Sequence, residues 1–292
     1  ANGLVDALSG LTLVSESSGP GPAVVSASFV GNTTAGNSSA GFFESLIFGT
    51  VDGENFTLGK GIVLTSGDGT PNNSNTAIGF TGDASFLSDT DLDSVLSSTG
   101  HAQTTTDTTS LEFEFTVTGN VNAIIFDFMF GTDEFNEQEI NDIAAVFVDG
   151  TNFALFPDDS ILHFDIGSNE FNFFNNTGGA LGIEYDGISE PDVIVGLLNT
   201  GLSTHTVKIA VSDTNDTVVD TGLFLSAFGL GETFASATTG NDILSGTTGN
   251  NSVDAGDGGD GDDTVEGGFG NDTVQGSVGN DVFFGDAGND TH

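Results

Sequence analysis

Six short turns near the end of the chain share one chemistry. They are Gly240-Asn241-Asp242, Gly249-Asn250-Asn251, Gly261-Asp262-Asp263, Gly270-Asn271-Asp272, Gly279-Asn280-Asp281 and Gly288-Asn289-Asp290, spaced 9, 12, 9, 9 and 9 residues apart. Asp carboxylates, Asn amide oxygens and turn carbonyls are the hard donors that Ca2+ prefers. Gly permits the tight turn that gathers them. Two positions after the first five turns come Leu244, Val253, Val265, Val274 and Phe283. One Gly-Asn-Asp is ordinary turn chemistry; five or six in register are a strong signal, and a repeat binding several Ca2+ ions is expected. The ligand candidates are Asp242, Asn251, Asp263, Asp272, Asp281 and Asp290. Asn251 stands where the pattern wants Asp, and residues 254–260 insert three positions. That insertion is expected to break the stacking register, so that the regular roll begins near Gly261.

Two other acidic stretches follow apolar runs. In residues 126–150 an apolar run ends at Asp133, Glu134 and Asn136, and Asn141-Asp142 opens the next one. In residues 211–221, Asp213, Asp216 and Asp220 lie between two apolar runs. Four or more oxygens at adjacent strand ends make a hard-cation site. A solvated acidic loop or a turn cap has the same spacing, so spacing alone leaves both readings open.

The whole composition narrows the function. The formal charge is −41, with 43 acidic residues against Lys60 and Lys208. Nucleic-acid binding and adsorption to an anionic membrane both need basic residues that this chain lacks. An acidic surface screened by salt competes with the calcium reading, but here much of the acidity clusters in Gly-rich turns. With no Cys, disulfides and thiol chemistry are excluded. No apolar run approaches the roughly 18 residues of a spanning helix, so no membrane insertion is expected. Catalysis is not expected either: there is no His-Glu-x-x-His, no Gly-x-Ser-x-Gly, no P-loop, and the four His residues are scattered. A core is affordable, because the chain is 36% hydrophobic with 26 Phe.

The elements that must position these acids read as strands. Residues 111–117 alternate, with Leu111, Phe113, Phe115 and Val117 on one face. Val207, Ile209 and Val211 repeat the pattern, and 123–130 is apolar on both faces, as a central strand is. Further strands are expected at 23–30, 42–48, 61–65, 143–148, 161–166 and 221–228. Asp127 and Glu44 read as outward strand residues, His205 and Lys208 as strand-surface residues. The only helix expected is 3–11, with Leu4, Leu8 and Leu11 at helical spacing. The expected fold is all-β: an antiparallel β-sandwich, jelly-roll-like, followed by a parallel β-roll. The expected domains are an N-terminal segment and linker (1–22), the sandwich (23–231) and the roll (232–292), with the roll cut short at its end. Ala1 in first place reads as the product of a processed, exported precursor.

The nonapeptide turns resemble the RTX repeat, which forms a parallel β-roll on Ca2+. The two acidic stretches resemble the choice-of-anchor L domain of exported bacterial proteins over roughly residues 5–229. The shared features are Phe130-Gly131-Thr132-Asp133-Glu134-Phe135, the Asn141-Asp142 pair, Asp213, Asp216, Asp220 and Thr221, and the segment 61–67. Phe135 replaces a Tyr of that pattern. The resemblance implies a secreted surface domain and no settled catalytic activity. The expected function is a calcium-binding structural protein of a bacterial surface, a homo-oligomer or polymer forming a filament, coat or matrix. The alternative is an adhesin module whose partner is a glycan or another cell surface. The apolar segment 4–14 either folds back on its own domain or docks as an added strand on a neighbouring copy.

Overall fold

The computed structural model describes residues 23–33, 38–51, 53–71, 73–75, 87–100, 104–117, 121–135, 142–156, 158, 160–164, 169–199, 201–214 and 219–231, then 243–245, 252–254, 264–266, 273–275, 280, 282–284 and 291. The N-terminal segment and its expected helix therefore lie outside the described residues.

The strands are β1 (Ala23–Val30), β2 (Ala40–Phe43), β3 (Leu46–Val51), β4 (Glu54–Leu58), β5 (Gly61–Thr65), β6 (Thr105–Thr116), β7 (Ala123–Thr132) and β8 (Ile143–Val148). They continue with β9 (Thr151–Asn152), β10 (Phe173–Asn175), β11 (Gly187–Ser189), β12 (Asp192–Leu197), β13 (His205–Thr214) and β14 (Thr221–Gly231). One sheet runs β1-β6-β13-β8-β9; a seven-stranded sheet runs β10-β11-β7-β14-β5-β2, with β12 also on β7. Every pairing in these two sheets is antiparallel. The core lies between them. Leu111, Phe113, Phe115, Val207, Ile209 and Val211 of one sheet meet Ile62, Leu64, Phe126, Phe128, Phe130, Leu223 and Leu225 of the other. The alternation read along 111–117 is thus the inward face of β6. A second cluster covers the outer face of the seven-stranded sheet, where Phe48, Phe56 and Leu58 of the β3–β4 hairpin pack on Val63, Met129 and Phe224.

Several expectations change. Residues 42–48 form not one strand but the end of β2 and the start of β3, because the chain turns at Glu44 and Ser45 to leave the large sheet for a hairpin. Residues 161–164 make only isolated bridges at Ile161 and His163. An unexpected helix, α1 (Thr90–Ser98), buries Leu92 and Leu96 against Ile143, Ala145 and Ala210. Its N-cap is Asp89, whose carboxylate accepts from the amides of Asp91 and Leu92. The cap and the Leu pair at i and i+4 were its sequence signals. Lys208 is engaged rather than loose on a strand, at 2.6 Å from both Asp89 and Asp91. His205 is buried, with Nδ1 at 2.8 Å from Asp149 Oδ2.

Asp127 does face away from the core, between Val193 of β12 and Ser226 of β14. Burial there pushes its carboxyl above the usual 3.8. A raised acid contributes stability that is full below its ordinary pKa and is lost as pH rises through the raised value. Asp127→Asn is therefore expected to raise the thermal midpoint at neutral pH and to leave it unchanged near pH ~3. A scan of midpoint against pH, in calcium, checks this; an equal shift at both pH values would contradict it.

After the sandwich in sequence, β15 (Ile243–Ser245), β17 (Thr264–Glu266) and β19 (Val282–Phe284) form one parallel ladder, and β16 (Ser252–Asp254) pairs with β18 (Thr273–Gln275) in another. Consecutive strands alternate between ladders, as a two-sided roll requires. Leu244, Val265 and Phe283 align in the first and Val253 with Val274 in the second. The insertion at 254–260 does not break this register, contrary to expectation, and the ladders begin before Gly261. The physical reason is that three-residue strands set the pairing, while added length falls between them.

Candidate metal centre

The two acidic stretches meet at one end of the sandwich. Asp133 and Glu134 follow β7, Asp220 precedes β14, Asp213 lies near the end of β13 and Asp142 precedes β8. All five carboxylate residues are buried. Backbone bonds fix their approach. The Asp133 amide donates to the Asp220 carbonyl at 3.2 Å. The Asp133 carboxylate accepts from the Asp186 amide at 3.0 Å. The Asp142 carboxylate accepts from the Thr214 amide at 3.1 Å, beside Asp213. A register shift between Val211 and Asp213 marks a bulge where β13 leaves its regular pairing with β6. Asp220 is held from below, because its carboxylate packs on Gly67 so closely that a Cβ there would overlap it. Thr221 locks the same corner, its amide bonding Ser66 Oγ at 2.9 Å and its hydroxyl the Gly131 carbonyl at 2.7 Å.

Tyr185 completes the group. Its ring lies across Gly131 and Gly222, which are opposite one another on β7 and β14; a Cβ on either would overlap the ring or its hydroxyl. Burial pushes the phenol well above its usual pKa, and the carboxylates of Asp220, Asp133 and Asp213 add to the rise. One buried hydroxyl thus feels acids from both stretches and both sheets. Next to it, Asp186 is raised by burial and then by Glu184, offset by the Asn75 amide that donates to it.

Lysine and arginine cannot balance this charge. The chain's two basic residues sit elsewhere, Lys60 at 3.6 Å from Glu44 and Lys208 on Asp89 and Asp91. The donors are oxygens, which suits a hard cation such as calcium and not a thiolate- or imidazole-seeking metal. Among the described residues, no three His, Asp or Glu side chains already form a metal-holding set. Hydroxyl and carbonyl oxygens therefore have to contribute to any coordination here.

The structure brings Asp133, Glu134, Asp142, Asp213 and Asp220 to one end of the fold. Asn136, Asn141 and Asp216 lie outside the described residues, as do the turn candidates Asp242, Asn251, Asp263, Asp272, Asp281 and Asp290. Sequence reasoning missed Tyr185, Thr214, Asp186 and Gly67. Only the pattern Glu184-Tyr185-Asp186, two acids flanking the chain's one Tyr, hinted at any of them.

Comparison with known proteins bears on both parts. A family model described as the choice-of-anchor L domain matches residues 11–230. The RTX calcium-binding nonapeptide repeat matches residues 236–260 and 257–291. No curated protein sequence matches the chain. One solved structure, the catalytic domain of a GH87 alpha-1,3-glucanase in complex with nigerose, aligns with a TM-score of 0.16 at 9% identity over 62% of this chain. The alignment spans about half of that structure, 51%, and a score this low supports neither a fold nor an activity. No helix among the described residues is long and apolar enough to cross a membrane.

Proposed function

The chain belongs to the choice-of-anchor L domain family and carries RTX calcium-binding repeats behind that domain, and from this premise we propose that it is a non-catalytic structural protein of a bacterial surface whose copies assemble under calcium into a filament, coat or matrix. The observation that carries the assembly is the edge strand β1. It pairs with β6 on one side, and among the described residues no strand pairs with its other side. Val24, Val25 and Val30 on it are exposed. An open edge with apolar side chains is a template for a strand of another copy. The charge of −41 opposes such contact; bound divalent ions lower that repulsion. The absence of Cys leaves packing, strand pairing and metal bridges as the means of association.

Light scattering on the purified chain tests this. Stepping from chelator to millimolar calcium at physiological salt is expected to convert monomers into large particles, and electron microscopy should show ordered polymers. Monomers at every calcium concentration would overturn the proposal. Deleting residues 1–15 asks a separate question: polymers that persist without them are not joined by an exchanged N-terminal strand.

A further inference from the structure

We propose that one calcium ion binds inside the sandwich, between Asp133 and Asp220 at the end of the seven-stranded sheet and Asp213 and Asp142 at the end of the five-stranded sheet, so that it clasps the two sheets together. Two acidic stretches that look separate in sequence become one site. The Asp133–Asp220 backbone bond joins the first pair, and Asp142 on the Thr214 amide joins the second.

One uncharged group points to the ion independently of the acids. The Thr214 hydroxyl, fully buried one residue from Asp213, makes no hydrogen bond. A buried hydroxyl left in this state costs free energy. Coordination of the ion by the Thr214 hydroxyl satisfies it. The Tyr185 hydroxyl is fully buried, with the Thr65 side chain as its hydrogen-bonding neighbour and Asp220, Asp133 and Asp213 around it. Calcium suits the site because it accepts mixed carboxylate, hydroxyl and carbonyl oxygens in flexible geometry. The seat of Asp220 on Gly67 fixes one ligand in advance.

This site is independent of polymer formation and can be told apart from the repeats. The chain has one Tyr and no Trp. Terbium(III), a hard ion that replaces calcium on oxygen ligands, emits when a phenol close to it absorbs light. In the full chain, tyrosine excitation is expected to give terbium emission that saturates and is displaced by calcium. Asp213→Asn and Asp220→Asn, which keep side-chain shape, are each expected to weaken terbium binding about tenfold or more. Asp272→Asn with Asp281→Asn, confined to the repeats, is expected to leave the emission unchanged. Tyr185→Phe should remove the emission while calorimetry still counts the same calcium ions. Absence of tyrosine-sensitised emission in the unsubstituted chain, or its loss in the repeat variant, overturns the proposal. Unweakened emission in folded Asp213→Asn and Asp220→Asn chains does so too. Should those two variants fail to fold by circular dichroism, the unsubstituted chain and the repeat variant decide the matter.

Discussion

Gly222→Ala is expected to destabilise the sandwich by about 3 kcal/mol, and Tyr185→Phe is expected to return much of that loss. The new Cβ would overlap the Tyr185 hydroxyl first and the ring carbon bearing it second. Neither side can easily give way. Gly222 belongs to β14, held between β5 and β7, and Tyr185 is packed edge-on against Phe224 with centroids 5.9 Å apart. Gly131→Ala makes the complementary case. Its Cβ would meet ring carbons at 2.7 and 2.9 Å, away from the hydroxyl, so Tyr185→Phe should give it no relief. Denaturant unfolding of the three single and two double variants, in calcium, reads the difference as a coupling energy. Equal rescue of both glycine variants, or no loss in either, would show that Tyr185 is not seated as described.

Chelation is expected to erase the β signal of the repeats and leave the sandwich strands largely in place. Each nonapeptide strand is three residues long and aligns one residue such as Val265 or Val274 with its neighbours, too little apolar burial to offset the ordering of its turns. The remaining drive must come from the ions, so metal binding and folding are one event. Far-UV circular dichroism between chelator and millimolar calcium reads this directly, and an unchanged spectrum would refute it. Asp272→Ala and Asp281→Ala should each shift the calcium midpoint more than Asn251→Ala, because they supply full carboxylates to 9-residue turns. Val265→Ser should weaken the same transition without touching a ligand, since Val265 lies between Leu244 and Phe283 in the ladder.

The repeats were legible because their information is local and periodic. Turn, carboxylate and apolar residue recur within nine positions, and the strands fall where that spacing put them. Only the effect of the 254–260 insertion was misjudged, since a linear spacing does not show that added length can leave the ladder. The bounds of β1, β5 and β8 were equally legible, each a compact apolar run between turn residues. Helix α1 was legible in principle from Asp89, Leu92 and Leu96, but its Ser- and Asp-rich sequence resembles a loop.

Sequence by itself therefore determined the class of this protein: all-β, strongly acidic, with calcium repeats behind an antiparallel domain that needs a Phe-rich core. It also marked the two acidic stretches. Tertiary structure alone decided that they share one place. Asp133 reaches Asp220 only because β7 and β14 pair along their length, and Asp213 joins them only because the sheets face each other across the core. Tyr185 arrives from a loop distant in sequence, over two glycines whose role is to leave room for it. Such contacts are set by strand pairing and close packing between distant segments, and neither leaves a periodic trace along the chain.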